Sequence, residues 1–185
     1  QRYDGELLRY FILSTHYRRP IEYSPDEIAS RKKGLTTFYR LFQRVQTLTG
    51  EDAYDAPPIA MSAAMSAEMS AAALAPASAL EPSAGEVSPS QSLASSLAEA
   101  HERFDGAMAD DFNTASAIAV LFELANAVNR FIEQTHLETD PAEGNDPSEC
   151  NKALALGAAR ELVALGRILG LFLAPPARTE LGDVQ

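Results

Sequence analysis

Asp110-Asp111-Phe112-Asn113-Thr114, running into ASAIAVLFELANAVNRF at 115–131, is the stretch whose reading decides the fold. Ile118, Leu121, Phe122, Ala125, Val128 and Ile132 recur at spacings of three and four, so they share one face of a helix with 3.6 residues per turn. Asn113 or Thr114 supplies a side-chain oxygen for the first free backbone amides, and Asp110 and Asp111 stand where carboxylates favour the positive end of the helix dipole. A long amphipathic helix with a well-formed cap reads as the central helix of a bundle.

The flanking segments repeat this pattern. Upstream, a helix is predicted from Gln91, with Leu93, Leu97, Ala100, Phe104 and Met108 in register. Downstream, TDPAEGNDPSE (139–149) reads as an acidic loop, and Asp146-Pro147-Ser148-Glu149 has the cap, proline and third-position acid that start a helix. Leu154, Ala158, Leu162, Leu165, Leu169 and Phe172 offer its apolar face, Ala174-Pro175-Pro176 is expected to end it, and 174–185 reads as a tail.

Closer to the N-terminus, Asp4 caps a helix over 4–15 with Leu7, Leu8, Phe11 and Ile12 on one face and Arg9 off it. Pro20 breaks the pattern and makes Tyr17–Tyr23 a connector. Ser24-Pro25-Asp26-Glu27 starts a second helix running to about Thr49, its stripe formed by Ile28, Leu35, Phe38, Leu41, Phe42, Val45 and Leu48, with Gly50 as the stop. Residues 57–90 then turn to Ala, Ser and Pro, a low-complexity insertion with little bulky apolar surface to offset the entropy of ordering it. Met61, Met65 and Met69, four apart, allow a weakly docked alanine-rich helix inside it. The expected fold is all-α: four or five helices packed up and down, with those from 25, 91, 115 and 148 forming the bundle and the 4–15 helix set at one end.

The formal net charge is -11, unfavourable for nucleic-acid binding by bulk electrostatics, but the charge is unevenly spread. Residues 1–50 hold nine Lys or Arg against five Asp or Glu, whereas 51–185 hold six against twenty-one. Contact with phosphate is therefore expected from the first fifty residues. The single Cys150 excludes a disulfide framework within the chain and sits in an acidic context without a base to activate it. His16, His101 and His136 are scattered, without metal-ligand spacing. No apolar run approaches the ~20 residues of a membrane span, and the expected setting is cytoplasmic.

Two stretches carry a family resemblance. YDGELLRYFILSTHYRRPIEYS (3–24) resembles the segment after the KMSKS loop of cysteinyl-tRNA synthetases, and AMADDFNTASAIAVLFELANAVNR (107–130) is similar to the start of the central helix in their DALR helical-bundle domain. ELVALGRILGLF (161–172) follows as a similar Leu-rich ending. The resemblance divides the chain into the end of a stem-contact region (1–23), a first bundle helix (24–56), the insertion (57–90), the rest of a DALR-like bundle (91–173) and the tail (174–185). It implies ATP-dependent attachment of cysteine to its tRNA, with ATP, magnesium and zinc serving the full-length enzyme. No HIGH motif, KMSKS loop or zinc-ligand set stands in this sequence, so no catalytic residue and no cofactor are assigned to it, and it reads as a piece of the enzyme's C-terminal half that needs the catalytic domain in cis or in trans.

The resemblance places the N-terminal segment against the inside of the tRNA L, and the candidate tRNA-binding residues are His16, Arg18, Arg19, Arg31, Lys32 and Lys33. The cations suit backbone phosphates, which give affinity and register but little sequence discrimination. His16 also suits the negative end of the first helix, and Lys32 and Lys33 also suit a merely solvated face. Two other classes of reading stand beside this one: an autonomous, non-catalytic helical module for RNA or protein, and the related cysteine ligase of mycothiol synthesis.

Overall fold

The structure is a computed structural model describing residues 3–55, 88–138 and 149–175, and the regular structure among them is entirely helical. Five helices follow in order: α1 Gly5–Leu13, α2 Pro25–Thr49, α3 Pro89–Ala109, α4 Thr114–Gln134 and α5 Glu149–Ile168. The all-α bundle read from the sequence is what the chain forms. The Met61, Met65 and Met69 stripe, the Asp146–Ser148 helix start and the tail beyond Pro175 lie outside the described residues.

The caps explain where most helices begin. The Asp4 carboxylate accepts from Glu6 N at 3.1 Å, and Ser24 Oγ accepts from Glu27 N at 3.1 Å with Pro25 at the first helical position. α3 starts at Pro89 rather than Gln91, because Ser88 and Gln91 form a reciprocal capping box that claims two residues assigned by composition to the insertion. Asn113 caps α4, its side-chain oxygen accepting from Ser116 N at 3.2 Å. Asn113→Ala is expected to lower stability by about 1 kcal/mol, read as a shifted midpoint of urea unfolding at unchanged slope.

α3 and α4 form an antiparallel pair across a four-residue turn, α5 packs on α4, and α2 packs on α5 without touching α3. α1 lies antiparallel along the N-terminal half of α2, with Tyr39 beside Glu6 and Gly34 beside Tyr10. Gly34 makes that approach possible, since a Cβ there would stand 2.8 Å from Tyr10 Oη. Thr114 Oγ1 donates to Leu13 O at 2.8 Å and fastens the start of α4 to the end of α1.

The core draws on every helix. Ile28, Phe38, Leu121, Val128, Ile132 and Leu162 are fully buried, whereas the expected core positions Leu8, Leu48, Met108, Phe122 and Leu154 are only partly so, and Ile12 is exposed, with Tyr10 buried on α1 in its stead. α4 is 21 residues long and, by length and composition, apolar enough to cross a bilayer, an exception to the expectation that no segment nears that length. Its apolar face is spent inside the bundle, with Ala117, Val120, Leu124 and Phe131 joining the predicted stripe.

α5 also ends earlier than expected. Leu171 N donates to Gly166 O and Gly170 N to Arg167 O, both at 2.9 Å, a Schellman closure with Gly170 left-handed at φ 70°. Leu169 and Phe172 are buried as predicted but lie past the last helical turn, well before Pro175. The chain after the turn folds back so that Phe172 N donates to Glu6 Oε1 at 2.7 Å and Arg9 Nη1 reaches Gly170 O. α4 closes in the same way, with Leu137 N donating to Ile132 O, His136 N to Glu133 O, and His136 itself left-handed at φ 52°.

Candidate nucleic-acid interface

The connector between α1 and α2 carries three of the six candidate residues. Ser14, not His16, caps α1, its hydroxyl donating to Tyr10 O at 2.6 Å. His16 instead closes a turn of its own: its Nδ1 accepts from Arg18 N at 3.2 Å, its carbonyl accepts from Arg19 N at 2.8 Å, and its ring stacks on Tyr17 at 5.0 Å. The helix-capping role considered for His16 is therefore not taken up, because the chain has left the helix two residues earlier.

That turn presents two adjacent arginines in different electrostatic states. Arg18 pairs with Asp111, and its Nε donates to Tyr17 Oη at 3.1 Å, while Tyr17 Oη donates to Asp111 Oδ2 at 2.7 Å. Asp111 therefore tethers the connector to the α3–α4 turn, which corrects its assignment to the dipole of α4. Asp110 is likewise the C-cap residue of α3. Asp111 and Phe112 are both left-handed, at φ 55° and 51°, a conformation costing about 1–2 kcal/mol per non-glycine residue. Arg19 is exposed, and among the described residues no ion pair engages it.

On α2, Arg31 is held by Glu27 one turn back, with Nη2 to Oε1 at 2.8 Å. Lys32 and Lys33 are exposed and outside any ion pair among the described residues. Lys32 sits at the rim of a cleft of about 430 Å³ against α1 whose lining includes Asp4 and Asp26, whereas Lys33 faces outward on the side opposite the buried stripe. Seven residues on, Arg40 falls on the same line at nearly the same helical angle, exposed and likewise outside any ion pair among the described residues. Arg44 extends the line but is spent. Glu138 accepts from its Nε and Nη2 at 2.6 and 2.9 Å, Asn129 accepts from its Nη1 at 2.6 Å, and the pairing holds the Glu138 carboxyl below its ordinary range.

The candidate set thus divides. Arg19, Lys32 and Lys33 are available cations, Arg18 and Arg31 are already neutralised, and His16 organises the turn. Arg40 belongs with the available group, although it is not among the six candidates read from the sequence. The signal was its seven-residue spacing from Lys33, which is two helical turns.

The remaining polar chemistry is structural. His101 on α3 pairs with Glu161 on α5, a carboxylate only 6% exposed, and the pairing raises the His101 pKa above its ordinary value against the opposing effect of burial. Burial raises the Glu6 carboxyl as well, only partly offset by its hydrogen bonds with Phe172 N and Tyr39. Cys150 is exposed. Among the described residues no group of three or more His, Cys, Asp or Glu side chains is placed to hold a metal ion, so neither zinc nor magnesium has a fitting donor set there.

Comparison with known proteins identifies this architecture. Residues 103–174, from α3 through the turn after α5, match the DALR domain family. Over 96% of its length the chain is 36% identical to the cysteine–tRNA ligase of Pelobacter propionicus, and over 95% it is 33% identical to that of Geotalea daltonii, covering 30% of each relative. The corresponding enzyme of Hahella chejuensis is 32% identical over 98% of the chain and is covered to 27%. The chain therefore spans under a third of the length of the curated relatives it matches, and it belongs to the cysteinyl-tRNA synthetase family as a C-terminal, helical, DALR-containing portion.

Proposed function

We propose that this chain is the tRNA-contacting helical portion of a cysteine–tRNA ligase acting in the cytoplasm. Adenylation of cysteine with ATP and its transfer to tRNA, together with the zinc and magnesium the family's chemistry implies, belong to a catalytic domain supplied in cis or in trans. The observation that carries the reading is the line formed by Lys33 and Arg40 on the exposed side of α2, with Arg19 in the neighbouring connector: three cations that no carboxylate among the described residues neutralises, in the basic part of an otherwise acidic chain. Such a line follows a phosphate backbone, gaining affinity from released counterions and setting register, while sequence selection is left to other contacts.

The test is binding of a tRNA transcript across a salt series. Arg19→Ala, Lys33→Ala and Arg40→Ala should each weaken binding, and their combination should flatten the slope of log K against log salt by about 2–3, since each phosphate contact contributes roughly 0.9. Arg18→Ala and Arg31→Ala should change the slope by less, because Asp111 and Glu27 already compensate those charges. An unchanged slope in the triple variant would remove the reading.

A further inference from the structure

At the end of the bundle where α1 stops and α4 starts, an apolar groove of about 460 Å³ is lined by Ile12, Leu13, Tyr17, Ile21 and Phe112 and closed by two threonines. Its large side chains face solvent: Phe112 is 68% exposed, Tyr17 59%, Ile12 55% and Ile21 41%. Phe112 is held outward by the two consecutive left-handed residues of the α3–α4 turn, fastened in turn by Asp111 to Tyr17 and Arg18. We propose that this groove is the docking surface for the remainder of the ligase chain, an apolar protein segment of the same enzyme that lies outside these 185 residues. The inference rests on the reading of the chain as part of a ligase.

Three observations select this occupant. First, the lining carries no charged side chain, and two of its three hydroxyls are engaged at home: Tyr17 Oη donates to Asp111, and Thr114 Oγ1 donates to Leu13 O. A polyanion would find no cation there and a single threonine hydroxyl, that of Thr15, whereas an apolar side chain would find a seat. Second, two half-exposed aromatics and two isoleucines can bury on the order of 400 Å², given the 150–250 Å² that a whole aromatic side chain buries. That is about half of the ~800 Å² per partner typical of a stable complex between separate molecules, so a second copy of the chain would not be held. A covalently joined segment, present at an effective concentration in the millimolar range, needs no larger patch. Third, the relatives are longer, the chain covering only 30% of their length, so a ligase of their size has further protein that can occupy the groove.

Hydrogen exchange tests the proposal without tRNA, and so independently of the phosphate contacts. The 185-residue chain is compared with the Pelobacter propionicus ligase carrying this chain in place of its matched segment. Amides of residues 12–21 and 111–114 should exchange about ten-fold more slowly in the longer protein. Phe112→Asp, and separately Ile21→Asp, should abolish that difference while the amides of 121–132 in the core of α4 stay protected. If the chimera does not fold, the native Pelobacter enzyme and its matched segment alone give the same comparison at the aligned positions. Equal exchange in the long and short proteins would overturn the proposal. Protection that appears only on adding tRNA would assign the groove to RNA. Protection already present in the 185-residue chain would assign it to a second copy if it rises with concentration, and to one of the chain's own segments if it does not. Loss of tRNA affinity in the cation variants with groove protection intact, or the reverse, separates failure of this proposal from failure of the phosphate-binding reading.

Discussion

Truncating Phe172 to alanine is expected to remove about 3–5 kcal/mol of stability, a large fraction of the 5–15 kcal/mol available to a domain of this size. The ring is fully buried at the meeting of α1, α2 and α5, with centroids 5.2 Å from Phe38, 5.1 Å from Phe42 and 6.3 Å from Tyr39. It lies directly on Gly166, where a Cβ would stand 2.2 Å from Phe172 Cδ2, so the surrounding backbone is shaped to the ring. Alanine would leave a cavity walled by rigid aromatics, the case in which neighbours collapse least. Equilibrium urea unfolding measures the loss. A change below about 1 kcal/mol, the ordinary effect of a point substitution, would mean that the rings close over the gap.

The second large effect belongs to His101. His101→Ala removes the imidazole that pairs with the Glu161 carboxylate, 6% exposed, between α3 and α5, and because the imidazole itself is about one-third exposed the expected cost is about 1.5–3 kcal/mol, the range of a hydrogen bond to a charged group. The pair also makes stability depend on pH. The His101 pKa is raised first by its hydrogen bond with Glu161 and further by the charges of Glu161 and Asp105, with burial opposing. A group whose folded pKa exceeds its unfolded value, about 6.5 for histidine, gives stability that is complete below the unfolded value and lost as pH rises through the folded one. Unfolding free energy measured from pH 6 to pH 9 should therefore fall in the wild type through a component that His101→Ala lacks. A parallel pH profile in the two proteins would show that folding does not shift the imidazole's pKa.

The parts of this fold that were legible in the sequence are those decided locally. The Asn113 cap and the face of α4 from Ile118 to Ile132 follow from spacing and short-range hydrogen bonding, and so do the Ser24-Pro25 start of α2 and its Gly50 stop. α5 was legible only in part. Spacing assigns it one buried face, yet Ala155–Ala159 and Glu161–Gly166 are all buried, because α2, α3 and α4 surround it and its small residues let them approach. Its apolar rhythm also runs on through Leu169 and Phe172, hiding the stop that Gly170 imposes.

The candidate interface shows the same limit. Arg18 and Arg19 are indistinguishable as sequence, and only the tertiary fold, by bringing Asp111 across from the α3–α4 turn, neutralises one and leaves the other available. Helical phase puts Arg40 and Arg44 alike on the line of Lys33, and again only the tertiary fold, through Glu138 and Asn129, engages one and leaves the other available. His136 looked like a stray histidine and serves as the left-handed residue closing α4, a position that composition gives no reason to suspect.

The bonds from Glu6 to Phe172 and from Arg9 to Gly170 join residues 166 and 161 positions apart. During synthesis on a ribosome at about 5–20 residues per second, the partners of α1 emerge on the order of 10–30 s after α1 itself. For that interval Leu7, Tyr10 and Phe11 have α2 to lie against but not the turn after α5 that completes their seat. Among these five helices the first to be made is thus the last to be fully secured, with an apolar edge left open until translation passes Phe172.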